Sequence, residues 1–204
     1  MTLSLKWWIA GVTVIPFFIG ACSLTRKGYW SPKYTVVEKS PGKFPMEVRE
    51  YSDLVLAATP AKPDAEGRDG SFMRLFRFIT GKNEQSQKIP MTTPVFFRGI
   101  GSEETMSFVM PEKDGIAGGP PKPTDENVRI EKRPGGTYAV SRMKGRRRHD
   151  RETSLQHLEA ELEKSSWKAS GPAEFASYDP PWIPQFLRRD EVFLPVKPRP
   201  KPQP

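Results

Sequence analysis

Proline constrains this chain more than any other residue, because it accounts for 22 of the 204 residues and recurs along the sequence. A proline inside a helix removes a backbone hydrogen bond and clashes with the preceding turn, so long uninterrupted helices are not expected. Apolar residues nevertheless make up 36% of the chain, which is enough to bury a sizeable core. We therefore expect one folded domain built from short elements.

A five-residue motif that occurs twice suggests an internal duplication. Residues 38–42 read EKSPG and residues 131–135 read EKRPG, and a short β-pattern precedes and follows each copy. A Pro-Gly pair favours a turn, because proline fixes its own φ and glycine accepts positive φ. Each half of the chain is therefore predicted to open with a β-hairpin.

One amphipathic helix is predicted in each half. The apolar positions have helical spacing, at Phe72, Leu75, Phe76 and Ile79 in the first half and at Leu155, Leu158 and Leu162 in the second. Further β-patterns follow each helix, at 94–97 and 106–110, then at 174–178 and 191–194. The sequence thus predicts an α+β domain over residues 34–196, in which two β-β-α-β-β units related by a pseudo-twofold share an antiparallel sheet.

The first 21 residues, 1–21, are predicted to be a lipoprotein signal peptide. One positive charge, Lys6, precedes fifteen uncharged residues, which are too few to span a bilayer. The run ends in the letters IGAC, which resemble the bacterial lipobox, and the single cysteine of the chain, Cys22, falls at the acceptor position. The resemblance implies that Cys22 is diacylated and becomes the mature N-terminus, with residues 22–33 as a lipidated tether.

This N-terminus predicts a location in a bacterial cell envelope, where the lipid on Cys22 holds the protein on a membrane. Ser23 follows the cysteine, which by the same resemblance favours the outer membrane in a host that has one. An ordinary signal peptide, or an uncleaved anchor with a coincidental cysteine, is the alternative. At the other end, residues 197–204 alternate proline with basic residues and are predicted to form a disordered polyproline tail.

The formal net charge of +8 favours an acidic partner, such as anionic lipid, nucleic acid or a carboxylate ligand. The densest basic run, KGRRRH at 144–149, has no interleaved aromatic residues, so we interpret it as a solvated loop and predict no nucleic-acid partner. Two histidines and one cysteine give no basis for a Cys/His zinc site. Because no catalytic motif is present either, an enzyme is not predicted.

Four strings resemble the SOUL heme-binding protein family: KIPMTTPV (88–95), MSFVMP (106–111), PPKPTDENVRIEKRP (120–134) and YDPPWIPQFLRRDEV (178–192). They cover the predicted domain nearly end to end, in the order of the family. The resemblance implies a duplicated, distorted antiparallel β-barrel flanked by two helices. It also implies a non-catalytic protein that binds heme or another tetrapyrrole non-covalently, as a carrier or buffer, and we expect a monomer.

The first predicted helix carries the candidate heme surface. Heme is a flat apolar disc with two carboxylates, so a receptor needs an apolar face and cationic donors. At 100° per residue, Phe78 is predicted to point away from the core, with Arg74 one turn earlier and Arg77 beside it. The resemblance also places basic residues of the family's proposed pocket at Arg74 and Arg77. In the alternative, Phe78 packs under a neighbouring loop and both arginines face water.

No axial metal ligand is assigned from the sequence. The region of the first helix contains no histidine, and the two histidines of the chain are His149 and His157. His157 lies among glutamates on the second helix and is predicted to be exposed. Met73, Met91 and Tyr138 are conceivable ligands, although methionine more often fills a core. A weak and adaptable heme site is therefore predicted.

Two other functions fit the same fold. One is an envelope interaction module that binds no heme and presents its loops to another protein. The other is a receptor for different amphipathic molecules, since the duplicated architecture resembles effector-binding domains of multidrug-sensing regulators, which hold amphipathic cations between two halves. An acidic residue in the groove between the halves would favour the cation, and a basic rim would favour heme.

Overall fold

The computed structural model describes residues 28–41, 45–61, 70–99, 103–111, 119–143, 148–180 and 183–200. The predicted signal peptide and Cys22 lie outside the described residues. The same holds for residues 144–147 of the predicted basic loop, and for the side chains of Arg148 and His149 that complete it.

The described chain contains ten strands and two α-helices. The strands are β1 (Tyr34–Lys39), β2 (Glu47–Tyr51), β3 (Leu54–Pro60), β4 (Val95–Arg98), β5 (Thr105–Val109), β6 (Arg129–Arg133), β7 (Gly136–Arg142), β8 (Trp167–Ala169), β9 (Glu174–Ser177) and β10 (Asp190–Pro198). The helices are α1 (Ser71–Ile79) and α2 (Arg148–Glu163), and a short 3₁₀ helix spans Gln185–Leu187. Within the described ranges, neither α-helix is long and apolar enough to cross a membrane.

All strand pairings of the sheet are antiparallel, and the predicted α+β fold with two helices is confirmed. The strand order is β1-β2-β7-β10-β9-β4-β5-β3-β6, and β8 pairs with β10 off this path. The sheet curls into half a barrel, with β1 and β6 as its two edges.

The order of strands also confirms the predicted β-β-α-β-β duplication. One unit is β2-β3-α1-β4-β5 and the other is β6-β7-α2-β9-β10. If each strand is exchanged for its counterpart in the other unit, the strand order of the sheet is the same when it is read from the opposite edge. Strands β2 and β6 begin at 47 and 129, and β3 and β7 begin at 54 and 136, so both pairs are 82 positions apart. The two units meet where β4 pairs with β9.

The hairpin predicted for the second half is wrong. Strands β1 and β2 pair as predicted, but β6 pairs with β3, while β7 pairs with β2 and β10. The partner of β6, strand β3, was not predicted from the sequence because its run LVLAATP has two alanines at its centre and shows no polar alternation. The two copies of the EKxPG motif, 93 positions apart, therefore do not mark equivalent strands.

Glycine is required where the connections of the two units meet. A Cβ on Gly135 would lie 2.6 Å from the carbonyl oxygen of Tyr51 and 2.8 Å from the backbone nitrogen of Asp53. The Gly135 N–H instead donates to Asp53 Oδ1 at 2.7 Å. The β2–β3 and β6–β7 connections thus pack backbone against backbone, which joins the two units.

Each face of the sheet carries its own apolar cluster. Strand β10 shows the division, because Val192 and Leu194 belong to one cluster and Phe193 to the other. The helices cover the first cluster, the helix-side core, which includes Leu75, Phe78 and Ile79 of α1 and Leu158 and Leu162 of α2. The second, the inner cluster, contains Tyr51, Leu54, Leu56, Phe96, Val109, Tyr138, Val140, Ala176, Tyr178 and Phe193.

The N-terminal segment packs on the domain earlier than predicted. Trp30 forms a bridge with Thr92, its carbonyl accepts the N–H of Thr93 at 2.9 Å, and its ring is partly buried against the inner cluster. Pro32 is buried as well. The predicted tether over residues 22–33 therefore belongs to the folded domain from Trp30 onward.

The C-terminal tail begins later than predicted. Strand β10 continues to Pro198, with Lys197 paired to Lys168 of β8. The Arg199 N–H then donates to the Ser166 carbonyl at 2.7 Å. The prediction of a disordered tail from residue 197 is thus wrong for its first three residues, because β8 supplies them with backbone partners. Residues 201–204 lie outside the described chain.

Candidate functional site

Helix α1 buries a different face from the one predicted. Phe78 is 2% exposed and packs in the helix-side core with Leu75, whereas Phe72 is 40% exposed. Both alternative faces contain Leu75, so helical spacing alone does not choose between the two phenylalanines. The first turn favours the Phe78 side, because the small Ser71 is buried there and its Oγ donates to Met106 Sδ at 3.4 Å. The predicted outward position of Phe78 is therefore wrong.

This orientation leaves an exposed strip on α1, formed by Phe72, Met73, Phe76 and Arg77, which we call the α1 strip. Met73 is 46% exposed and Phe76 is half-buried. The rings of Phe72 and Phe76 stack at an interplanar angle of 14° with centroids 5.9 Å apart. Phe72 also meets the buried ring of Phe108 edge-on at 5.7 Å. Strand β5 therefore supports an aromatic pair in which Phe72 is open to solvent and Phe76 is half-buried against the helix-side core.

The two arginines predicted to flank the heme have different surroundings. Arg77 is exposed and lies one turn after Met73 on the α1 strip. Arg74 is half-buried: its Nε donates to Thr59 Oγ1 at 2.9 Å and its Nη2 donates to the Pro60 carbonyl at 2.5 Å. Arg74 thus fastens α1 to the end of β3, and Arg77 is the cation that faces solvent beside the aromatic surface.

The other conceivable ligands divide between exposed and buried positions. Met73 lies in the α1 strip, and Met91 is 38% exposed on the loop before β4. Tyr138 is 7% exposed and its hydroxyl donates to the Pro134 carbonyl at 3.2 Å, which removes it from the accessible ligands. His157 is exposed on α2, as predicted. Among the described residues, no three His, Cys, Asp or Glu side chains form a group that could hold a metal ion.

The inner cluster surrounds a buried arginine. Arg133 lies at the end of β6, is 2% exposed, and has its guanidinium carbon 4.1 to 5.9 Å from four aromatic ring centroids. The four rings are those of Tyr51, Phe96, Tyr138 and Phe193. Its Nη2 forms an ion pair with Glu174 at 2.7 Å, while Nη1 has no hydrogen-bond partner. We call this arrangement the arginine cage.

Glu191, a second buried acid, is also paired with arginines. It is 1% exposed, and it accepts hydrogen bonds from Arg49 at 2.9 Å and from Arg189 at 3.0 Å. Burial raises the pKa of Tyr51 to about 12 and that of Tyr178 well above its usual value, so both phenols remain protonated near neutral pH. The inner cluster thus pairs its buried acids internally.

Two features of the structure were not predicted from the sequence. Phe72 was predicted to face the core, and the signal against this was the small Ser71, one turn before Leu75 on the face that is buried. The arginine cage had no local signal, because Arg133 and its partner Glu174 are 41 positions apart. In the sequence, Arg133 looks like an ordinary turn residue.

Comparison with known proteins identifies relatives of this chain. The sequence profile of the SOUL heme-binding protein family matches residues 29–195. Heme-binding protein 1 of Mus musculus is 30% identical over 142 residues, which cover 65% of this chain and 73% of the relative. Heme-binding protein 1 of Xenopus laevis is 26% identical over 156 residues, which cover 72% of this chain and 82% of the relative.

A solved structure shows the same architecture. The C-terminal domain of EcmrR superposes with a TM-score of 0.53 at 12% identity, covering 78% of this chain and 100% of that domain. At this identity the likeness shows the fold alone. Since the family profile spans most of the sequence and the duplicated sheet carries its motifs in order, this chain belongs to the SOUL heme-binding protein family.

Proposed function

We propose that this protein binds heme or a related tetrapyrrole non-covalently on the α1 strip, as an envelope-anchored carrier or buffer that performs no chemistry on its ligand. The observation that carries the proposal is the exposed ring of Phe72, stacked on the half-buried ring of Phe76, in a member of the SOUL family. The relatives from mouse and frog are named for heme binding.

The residues of the α1 strip fit the chemistry of a porphyrin. Phe72 offers an exposed aromatic ring that is stacked on Phe76, and Met73 adds an adaptable exposed side chain beside it. Arg77 provides a guanidinium that can pair with a propionate carboxylate. Heme supplies a redox-active iron when bound, and within the strip the thioether of Met73 is the group able to ligate it.

The buried charges favour heme over an amphipathic cation. Glu174 lies near the junction of the two units, where an acid would suit a cationic ligand, but Arg133 and Arg98 approach it at 2.7 and 3.7 Å. The aromatic rings of the cage already surround the Arg133 guanidinium. A cationic ligand would have to displace this internal cation, whereas the α1 strip is exposed without any rearrangement.

The lipid on Cys22 is the anchor in this proposal. Cys22 is the only cysteine of the chain and stands at the acceptor position of the lipobox-like sequence. Acyl chains contribute about 0.8 kcal/mol per buried CH₂, so two of them hold a protein stably on a membrane. The proposed location is a bacterial cell envelope, with the outer membrane favoured where the host has one.

A Soret titration of the mature protein tests the ligand. We expect a saturable shift at micromolar hemin, and we expect Phe72→Glu to weaken binding about tenfold or more, because it places a carboxylate on the face that meets the macrocycle. Arg77→Glu should weaken it less, by about threefold, since an exposed ion pair contributes little.

Phe186→Glu is the matched control, because Phe186 is 86% exposed on the β9–β10 connection and lies outside the α1 strip. The Phe186→Glu variant should bind hemin with the same affinity as the unsubstituted protein. The absence of a saturable shift, or an equal loss in the control, contradicts the proposal and favours an interaction module.

A further inference from the structure

We propose that the β1 edge of the sheet faces the membrane, where its apolar side chains contact the bilayer interface and the basic residues around it meet anionic phospholipid headgroups. The β1 edge is defined as Tyr29, Tyr34, Val36, Val37 and the outer side of strand β1. The inference rests on the acylation of Cys22 proposed above. Of these side chains, Tyr34 also contacts the inner cluster, where its ring lies 5.2 Å from that of Tyr51.

Exposed apolar side chains are concentrated on the β1 edge. In the described part of the chain, nine large hydrophobic side chains are exposed, and four of them lie between residues 29 and 37. Their exposed fractions are 37% for Tyr29, 39% for Tyr34, 46% for Val36 and 51% for Val37. Tyrosine suits a membrane interface, because its ring is apolar and its hydroxyl stays in water.

The backbone of β1 favours a bilayer over another protein strand. Strand β1 pairs with β2 on one side and ends the strand order of the sheet, so its outer side is an edge. A bulge between Val36 and Glu38 interrupts the register of the strand. Bulges discourage continuation of a sheet by a second copy, whereas a lipid interface requires no register.

The predicted anchor is close to this edge along the chain. Tyr29 lies seven positions after Cys22, so even a fully extended chain spans at most about 25 Å between them. From Trp30 onward the chain is held on the domain, through the bridge to Thr92. An acylated Cys22 therefore keeps the start of the β1 edge near the headgroups.

Basic segments from both ends of the chain meet at the same edge. Glu38 of β1 accepts a hydrogen bond from Trp167 Nε1 at 2.8 Å, and the Trp167 carbonyl accepts one from Arg199 Nε at 2.8 Å. In the described parts of these two segments, 28–39 and 197–200, the charged side chains are those of Lys33, Lys39, Lys197 and Arg199, which are basic, and Glu38, which is acidic. The net positive charge beside β1 complements anionic headgroups.

The test places one environment-sensitive label on the acylated protein in vesicles of phosphatidylcholine and phosphatidylglycerol. Because acylation consumes the only cysteine, Val37→Cys presents a single thiol for an NBD label. Val55→Cys is the matched control, since Val55 is 37% exposed on β3, next to the opposite edge strand β6. We expect the label at 37 to brighten several-fold with a blue shift, and the label at 55 to emit as it does in water.

Three contrary results distinguish failure of the membrane contact, failure of the acyl anchor and self-association of the protein. Protein that floats with the vesicles while both labels remain solvent-like overturns the inference and leaves the acyl anchor intact. Protein that does not float removes the anchor and this inference with it, while the Soret titration still decides heme binding. A change at 37 that follows protein concentration instead of phosphatidylglycerol content places a second copy on β1 and also overturns the inference.

Discussion

Replacing Phe78 with alanine is expected to lower the free energy of unfolding by about 3–5 kcal/mol. The side chain is 2% exposed and lies in the helix-side core between α1 and the sheet. Its removal leaves a cavity that the surrounding side chains fill only in part, so the lost burial and the cavity both destabilise the protein. Denaturant unfolding followed by circular dichroism measures the change.

Phe72→Ala is the matched control on the same helix. Because Phe72 is 40% exposed, its removal should cost about 1 kcal/mol, mainly from the contacts with the rings of Phe76 and Phe108. Under the proposed function, Phe72→Ala should weaken hemin binding, whereas Phe78→Ala should leave the hemin affinity of the folded protein unchanged. Equal destabilisation by both substitutions would contradict the orientation of α1.

Arg133→Met is expected to destabilise the protein by about 3–5 kcal/mol, because it leaves a buried carboxylate without its main partner. Arg133 pairs with Glu174 at 2.7 Å, and the nearest other cation, Arg98, lies 3.7 Å from that carboxylate. The methionine fills most of the volume inside the aromatic cage, so the loss reports on charge more than on packing. Thermal and denaturant unfolding should both register it.

Two variants separate charge from general disruption of the strand. Arg129→Met changes the same strand at a side chain that is 53% exposed and pairs with Glu131 at 3.1 Å, so it should cost about 1 kcal/mol or less. The double variant Arg133→Met/Glu174→Gln should recover much of the stability lost by Arg133→Met, because both charges are gone. A double variant no more stable than Arg133→Met alone would contradict the charge pairing.

The sequence predicted those elements whose signals are local. Strands β4, β5, β9 and β10 were predicted because each is a short run of aromatic, β-branched or other large apolar residues, and α2 was predicted from its leucine stripe. Strand β3 was missed because its sequence LVLAATP has two alanines at its centre and shows no polar alternation. The partners of β6 and β7 depend on that strand, so the pairing of the second half was also missed.

On α1, the helix of the proposed site, the sequence analysis predicted the wrong exposed phenylalanine. Two apolar faces of α1 overlap, and the sheet decides between them through Ser71, whose contact with Met106 joins residues 35 positions apart. The arginine cage is non-local in the same way, since its rings come from β2, β4, β7 and β10. Periodicity in the sequence describes one helix in isolation. The buried face of α1 and the partners of Arg133 depend on contacts between distant parts of the chain, which periodicity does not contain.

The two faces of the sheet therefore differ in what they can do. The inner cluster is closed around Arg133 and Glu174, and its charges are paired with one another. The helix side carries the α1 strip, where aromatic rings and a cation are exposed together. A ligand with an apolar plane and carboxylates suits the second surface without disturbing the first.

The most direct test of the account is a chemical-shift map of the isotope-labelled mature protein titrated with gallium protoporphyrin, a diamagnetic analogue of heme. We expect the largest backbone changes at Phe72, Met73, Phe76 and Arg77 of α1 and at Phe108 beneath them, with little change in the inner cluster. Changes centred on Tyr51, Tyr138 and Phe193, or no changes at saturating ligand, would contradict a tetrapyrrole seat on the α1 strip.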